Sequence, residues 1–157
     1  MKIVLLVVGK TVEKHFIEGL NDYTARIGHY VPFSLEVIPE LRNTKSLSEE
    51  QQKEEEAKLI LKALQPGDDL VLLDERGKEM RSMEFADWLQ IRLNRGTRRL
   101  VFLIGGPYGF SPQVREKANG SISLSKMTFS HQMIRLIFTE QLYRAFTILH
   151  HQPYHHE

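Results

Sequence analysis

Six consecutive apolar residues, Ile3-Val4-Leu5-Leu6-Val7-Val8, end at Gly9. A run apolar at every position and rich in β-branched side chains predicts an interior strand of a parallel sheet, covered on both faces. From Val12 to Ile27 apolar residues recur at helical spacing (Val12, Phe16, Ile17, Leu20, Tyr23, Ile27), and Gly28 with Pro32 closes the segment. Phe33 to Ile38 alternates apolar and polar positions, the pattern of a half-exposed strand nearer the edge. Leu41 to Leu47 has no period and reads as an exposed loop. Ser48 and Gln51 form a capping-box pair opening a helix to about Leu64, where Pro66-Gly67-Asp68 stops it.

Leu70 to Leu73 predicts a second buried strand that runs out at Asp74-Glu75-Arg76-Gly77. Ser82 is the predicted cap of a helix through Phe85, Trp88, Leu89, Ile91 and Leu93, with Gly96 beyond its end. Leu100 to Ile104 is the next buried strand, ending abruptly at Gly105-Gly106-Pro107-Tyr108-Gly109-Phe110. Ser111-Pro112 pairs an N-cap with a proline at the first helical position, giving a short helix to about Asn119-Gly120. Ser121 to Leu124 is a brief strand and Ser125 to Phe129 a turn. Ser130 caps a long helix from His131 to about Leu149, and His150 to Glu157 is a tail. Strands alternating with helices predict one α/β domain over residues 1–157, a mostly parallel sheet with helices on both faces. The last helix carries Ile134, Ile137, Phe138, Leu142, Ala145, Phe146 and Leu149, more apolar surface than one sheet face covers, so a homodimer is expected to bury the excess.

Composition narrows the function. The 157 residues, 41% hydrophobic and 26% charged, suit one domain burying about 70% of its unfolded surface. Net charge is 21 − 20 = +1, too small for a bulk positive field that would hold nucleic acid without specificity, so any such contact needs a local cluster. There is no cysteine, which excludes a disulfide scaffold, a thiolate metal site and a cysteine nucleophile and fits a reducing compartment. The longest apolar run is too short to span a bilayer, and a soluble cytoplasmic protein without membrane contact is expected. Glu49, Glu50, Glu54, Glu55 and Glu56 lie early in their helix, where carboxylates suit the macrodipole, interleaved with Lys53, Lys58 and Lys62; they read as a solvated face. Arg92, Arg95, Arg98 and Arg99 precede a strand and so lie at the sheet end away from a ligand crevice, either contacting RNA across a dimer or forming a solubilising rim. His150, His151, His155 and His156 lack the carboxylate or cysteine that completes a metal-ligand spacing, so no metal is expected and the tail reads as disordered or RNA-facing.

Ligands of open parallel sheets bind at the carboxyl ends of strands, which draws attention to the segments after Leu73, after Ile104 and after Leu124. No glycine-rich dinucleotide turn follows the first strand, and no nucleotide phosphate loop is present. Gly105 and Gly106 admit two readings, a tight turn or a surface on which a flat ligand lies against main chain.

Leu103-Ile104-Gly105-Gly106-Pro107-Tyr108-Gly109, Leu124-Ser125-Lys126-Met127-Thr128-Phe129-Ser130-His131, and Tyr143-Arg144-Ala145 with Pro153-Tyr154-His155 occur in that order. Together they resemble the bacterial large-subunit ribosomal RNA pseudouridine N3-methyltransferases, small members of the SPOUT class of trefoil-knotted methyltransferases. The resemblance covers essentially the full chain, including Val8-Gly9-Lys10 and Leu73-Asp74. It implies a C-terminal deep trefoil knot and a bent S-adenosylmethionine in contact with Leu73, Gly105, Gly106 and the turn Leu124, Ser125, Lys126, Met127, Thr128 and Phe129. A valine at 105 is accordingly expected to block the cofactor and leave the fold intact. It also implies a homodimer with active sites at the subunit interface and a target in 23S ribosomal RNA; the low net charge adds the expectation that the target is met on an assembled ribosomal surface.

Methyl transfer to the imide nitrogen of pseudouridine needs in-line positioning and removal of a proton. Tyr154, His155, His131 and Arg135 are the candidate groups. His155, an imidazole that exchanges protons near neutral pH, is either the acceptor or a hydrogen-bonding or phosphate contact. His156 stands where many members carry arginine or lysine, which leaves the tail's RNA contact open, and Ser130 replaces a frequent proline without loss of capping. The alternatives are a non-catalytic ribosome-associated RNA-binding module and a SPOUT methyltransferase acting on tRNA.

Overall fold

The computed structural model describes residues 1–157. Its strands are β1 (Lys2–Val8), β2 (Phe33–Ile38), β3 (Asp69–Glu79), β4 (Arg99–Ile104) and β5 (Gly120–Ser123), alternating with helices α1 (Lys14–Ile27), α2 (Glu49–Ala63), α3 (Ser82–Asn94), α4 (Pro112–Lys117) and α5 (His131–Leu149). All five strands run parallel in the order β2-β1-β4-β3-β5. The unbroken apolar run of β1 is interior, and Ile3 to Val7 are all buried; the alternating β2 is an edge.

Side chains of successive strand residues point to opposite faces, so each strand feeds two cores. Ile3, Leu5, Val7, Phe102 and Ile104 face Ile27 of α1, Phe85 and Leu89 of α3, and Phe138, Leu142 and Phe146 of α5. Val4, Leu6, Leu72, Val101 and Leu103 face Ala57 and Ile60 of α2 and Val114 of α4. No helix is long and apolar enough to cross a membrane.

Several local expectations need correction. Val12 lies outside α1, 72% exposed, with its N–H donated to the Gln132 side chain. Arg81, not Ser82, is the N-cap of α3; Ser82 is the first helical residue and donates its hydroxyl to Gln141 at 2.9 Å. β3 does not end at Asp74. It bulges outward between Leu73 and Lys78, both of which lie opposite Ile122 of β5, and resumes to Glu79. Gly77 permits this return, because a Cβ there would lie 2.8 Å from the Ile122 backbone.

The apolar stripe of α5 is covered within the chain, since α1 and α3 pack on its two sides and bury Phe138, Leu142, Ala145 and Phe146. Half-buried Ile134, Ile137 and Leu149 remain, too little for the stripe by itself to demand a dimer. Two of the four clustered arginines are spoken for: Arg92 stacks 3.6 Å over Trp88 and pairs with Asp69, and Arg99 pairs with Asp68 and Glu36. The tail is neither loose nor splayed outward. His151 adopts a left-handed conformation (φ 55°), and the N–H groups of His151 and Gln152 return to the carbonyls of Ile148 and Thr147, a helix-terminating motif that folds the tail back.

Candidate active site

A cavity of about 360 Å³ opens at the carboxyl ends of β3, β4 and β5. One wall is the outward bulge of β3 (Asp74, Glu75, Arg76), a second the Gly105–Phe110 loop, and a third the turn from Leu124 to Phe129, with His131 and Ile134 of α5 completing it. The walls are tied to one another. Asp74 pairs with Arg115 at 3.0 Å, Thr128 donates to Glu75 at 2.9 Å, and Lys126 reaches Glu79 at 3.6 Å. Within the third wall Ser123 donates to the Ser125 carbonyl, and the Ser125 hydroxyl accepts the Met127 N–H, so short side chains hold the turn's shape.

Desolvation pushes the Asp74 carboxyl up, but the Arg76 backbone N–H and the Arg115 guanidinium outweigh it and hold the carboxyl below its ordinary value. His131 is pushed down by burial and then by the Arg135 charge, against the opposing effect of the nearby Gly105 carbonyl. At neutral pH it is therefore the uncharged imidazole, whose ring carries one donor and one acceptor nitrogen.

Leu73, Gly105, Gly106, Leu124, Ser125, Met127, Thr128 and Phe129 are gathered around this cavity, as is His131. Lys126 belongs to the same turn but points its ammonium toward Glu79. Arg135 is not in the lining. It is 1% exposed, donates to the Val8 carbonyl at 2.8 Å and the Thr11 hydroxyl at 3.0 Å, and braces the end of β1. Tyr154 and His155 of the same chain lie elsewhere. Tyr154 stacks edge-on against Tyr143 (4.8 Å) and donates to Glu140, while the His155 Nδ1 meets Arg144 at 3.1 Å. Burial, then Tyr23 and Glu140, push the Tyr154 hydroxyl well above its ordinary range, so it stays protonated.

The two glycines owe their identity to protein packing as well as to the cavity. A Cβ at 105 would fall 2.8 Å from the Phe110 ring, and one at 106 only 2.1 Å from the Glu56 carboxylate. Valine at 105 would therefore disturb the loop itself, and the expectation that it leaves the fold intact does not stand. Glu56 is not part of a solvated face: it is 9% exposed and its Oε1 accepts the Gly106 N–H at 2.9 Å. The signal was present in the helix period, since Glu56 shares a face with Ile60, four residues on. No group of three or more His, Cys, Asp or Glu side chains gathers as a metal site.

The chain that places these late, glycine-bearing loops at the carboxyl edge of a parallel sheet matches, over residues 1–155, the model of a family described as "Predicted SPOUT methyltransferase", and it belongs to that family of methyltransferases. It is similar along its whole length to proteins named ribosomal RNA large subunit methyltransferase H: 66% identical to that of Phocaeicola vulgatus and 66% to that of Bacteroides thetaiotaomicron, each aligned over 100% of both chains. The counterpart in Porphyromonas gingivalis is 61% identical over the same extent. Among solved structures, a probable methylase family protein from Haemophilus influenzae Rd KW20 shares the fold at a TM-score of 0.50 and 12% identity. The match covers 95% of this chain and 66% of that one.

Proposed function

We propose that residues 1–157 act as one domain that transfers the methyl group of S-adenosylmethionine to N3 of a pseudouridine in 23S ribosomal RNA, in the cytoplasm and on assembled ribosomes. The reading is carried chiefly by the joining of the Gly105–Gly106 loop and the Leu124–Phe129 turn into one cavity. The full-length likeness to ribosomal RNA methyltransferases supports the substrate.

The cavity suits such a donor on its own terms. Leu73, Ile104, Leu124 and Ile134 offer apolar contact for a flat base, and bare main chain at Gly105 and Gly106 offers close approach. When bound, the donor supplies an electrophilic methyl on a sulfonium. The chain's share is to fix the ligand through the cross-tied walls, exclude water, and handle one proton. His131, an uncharged imidazole at neutral pH that lines the cavity of the same chain, serves as the proton acceptor in this reading.

A homodimer completes the site in this reading, with Tyr154 and His155 of the partner subunit reaching the nucleotide while Arg135 braces the loop after β1. The folded-back tail favours it, since a segment held by Tyr143, Glu140 and Arg144 presents its last residues in one geometry. The trefoil knot implied for the C-terminal loops belongs to the same reading. A net charge of +1 is too small to hold naked RNA firmly, which favours an assembled ribosomal surface.

The test is methyl transfer from S-adenosylmethionine to ribosomes and to free ribosomal RNA, with mass mapping of the modified nucleosides. N3-methylpseudouridine formed faster on ribosomes is the expected result. Product in transfer RNA, or no product with any RNA, overturns the proposal; equal rates on ribosomes and free RNA remove the assembled-surface requirement.

A further inference from the structure

Glu56 is a buried carboxylate that no cation faces. It sits on α2, on the sheet face opposite α5, and its one hydrogen-bond partner is the Gly106 N–H. An ion pair would offset its burial, and none is present. A group held at that cost and aimed at one backbone amide calls for a role beyond filling space.

The geometry of the peptide bond supplies one. In a trans peptide the carbonyl of one residue and the N–H of the next point in opposite directions. Glu56 takes the Gly106 N–H from the α2 side, which aims the Gly105 carbonyl away from α2. The Gly105–Gly106 peptide is thus held through its N–H by a buried side chain from α2, and that hold sets the orientation of the whole peptide plane. Glycines on both sides of this bond leave it the freest to rotate in the cavity wall, so it is the peptide most in need of such a hold. A Cβ at 106 would occupy the place of the Glu56 carboxylate, so glycine and acid occur as a matched pair.

We infer that Glu56 is a positioning residue for methyl transfer: by holding the Gly106 N–H it fixes the Gly105–Gly106 peptide and presets the wall against which the methyl donor binds. The inference rests on the reading that this cavity takes the donor.

Glu56→Gln keeps an acceptor oxygen for the Gly106 N–H, whereas Glu56→Leu keeps bulk and removes the acceptor. S-adenosylmethionine affinity is measured by calorimetry on the intact protein, alongside thermal midpoints and KM for ribosomes. The leucine variant is expected to bind the donor about tenfold more weakly, the scale of one lost hydrogen bond to a charged group. It should melt no lower than wild type and keep its KM for ribosomes, and glutamine should restore affinity to within about threefold. A leucine variant that binds like wild type, a glutamine variant as weak as leucine, or a loss of affinity matched by a fall in melting temperature overturns the positioning role. Wild-type protein that takes up no S-adenosylmethionine instead overturns the function proposed above, and the two failures are distinct.

Discussion

Glu56 and Gly106 share a space that holds one carboxylate and no additional carbon. Gly106→Ala is expected to cost about 2 kcal/mol in urea unfolding, the usual scale of overpacking, and clearly less in a Glu56→Ala background. Equal costs in both backgrounds would show that the two residues do not compete. Burial also raises the Glu56 carboxyl above its ordinary range, so the folded chain keeps this proton to higher pH than the unfolded chain does. The stability this contributes is complete below the ordinary carboxylate range and is lost as pH rises through the raised value. Urea midpoints from about pH 4 to about pH 8 should therefore favour Glu56→Gln over wild type increasingly with pH. His131 has the opposite sign. Its lowered value means that its contribution is present above the ordinary imidazole range and disappears as pH falls through that lowered value.

Helix ends decide where the functional segments go. Ser48 accepts the Gln51 N–H while the Gln51 side chain accepts the Ser48 N–H, and this start phases α2 so that Glu56 faces inward. Ser48→Ala is expected to lower stability by about 1 kcal/mol, read from the urea midpoint. At the other end of the chain, His151 holds a backbone conformation that a side chain disfavours. His151→Gly is expected to raise stability by about 0.5–1 kcal/mol in the same assay and to leave the tail's fold-back intact. These capping patterns were readable in the primary structure for α2, α4 and α5, where a serine stands at the right offset. At α3 the same logic misplaced the cap on Ser82, because the bond that serine makes is to Gln141, on a helix 59 positions away.

At the scale of the molecule, the cavity is built by one sheet edge and the tail lies apart from it in the same chain. Removing Tyr154 to Glu157 is therefore expected to leave donor affinity unchanged and to abolish transfer, checked by calorimetry and by methyl incorporation into ribosomes. An active truncation would remove the tail from the mechanism. The alternation of helical and strand periods was enough to predict an α/β architecture with parallel strands, an interior β1 and an edge β2, because burial on one or both faces imprints itself directly on neighbouring positions. The three segments around the cavity were also visible, since each begins where an apolar run stops at glycine or a polar turn. Other features depended on residues far apart in the chain. Whether Glu56 meets water or Gly106, whether Arg135 reaches the cavity or the end of β1, and whether β3 resumes beyond Asp74 were decided only when α2, α5 and β5 docked. Periodicity reports the face a residue occupies; the partner waiting on that face is set by long-range packing.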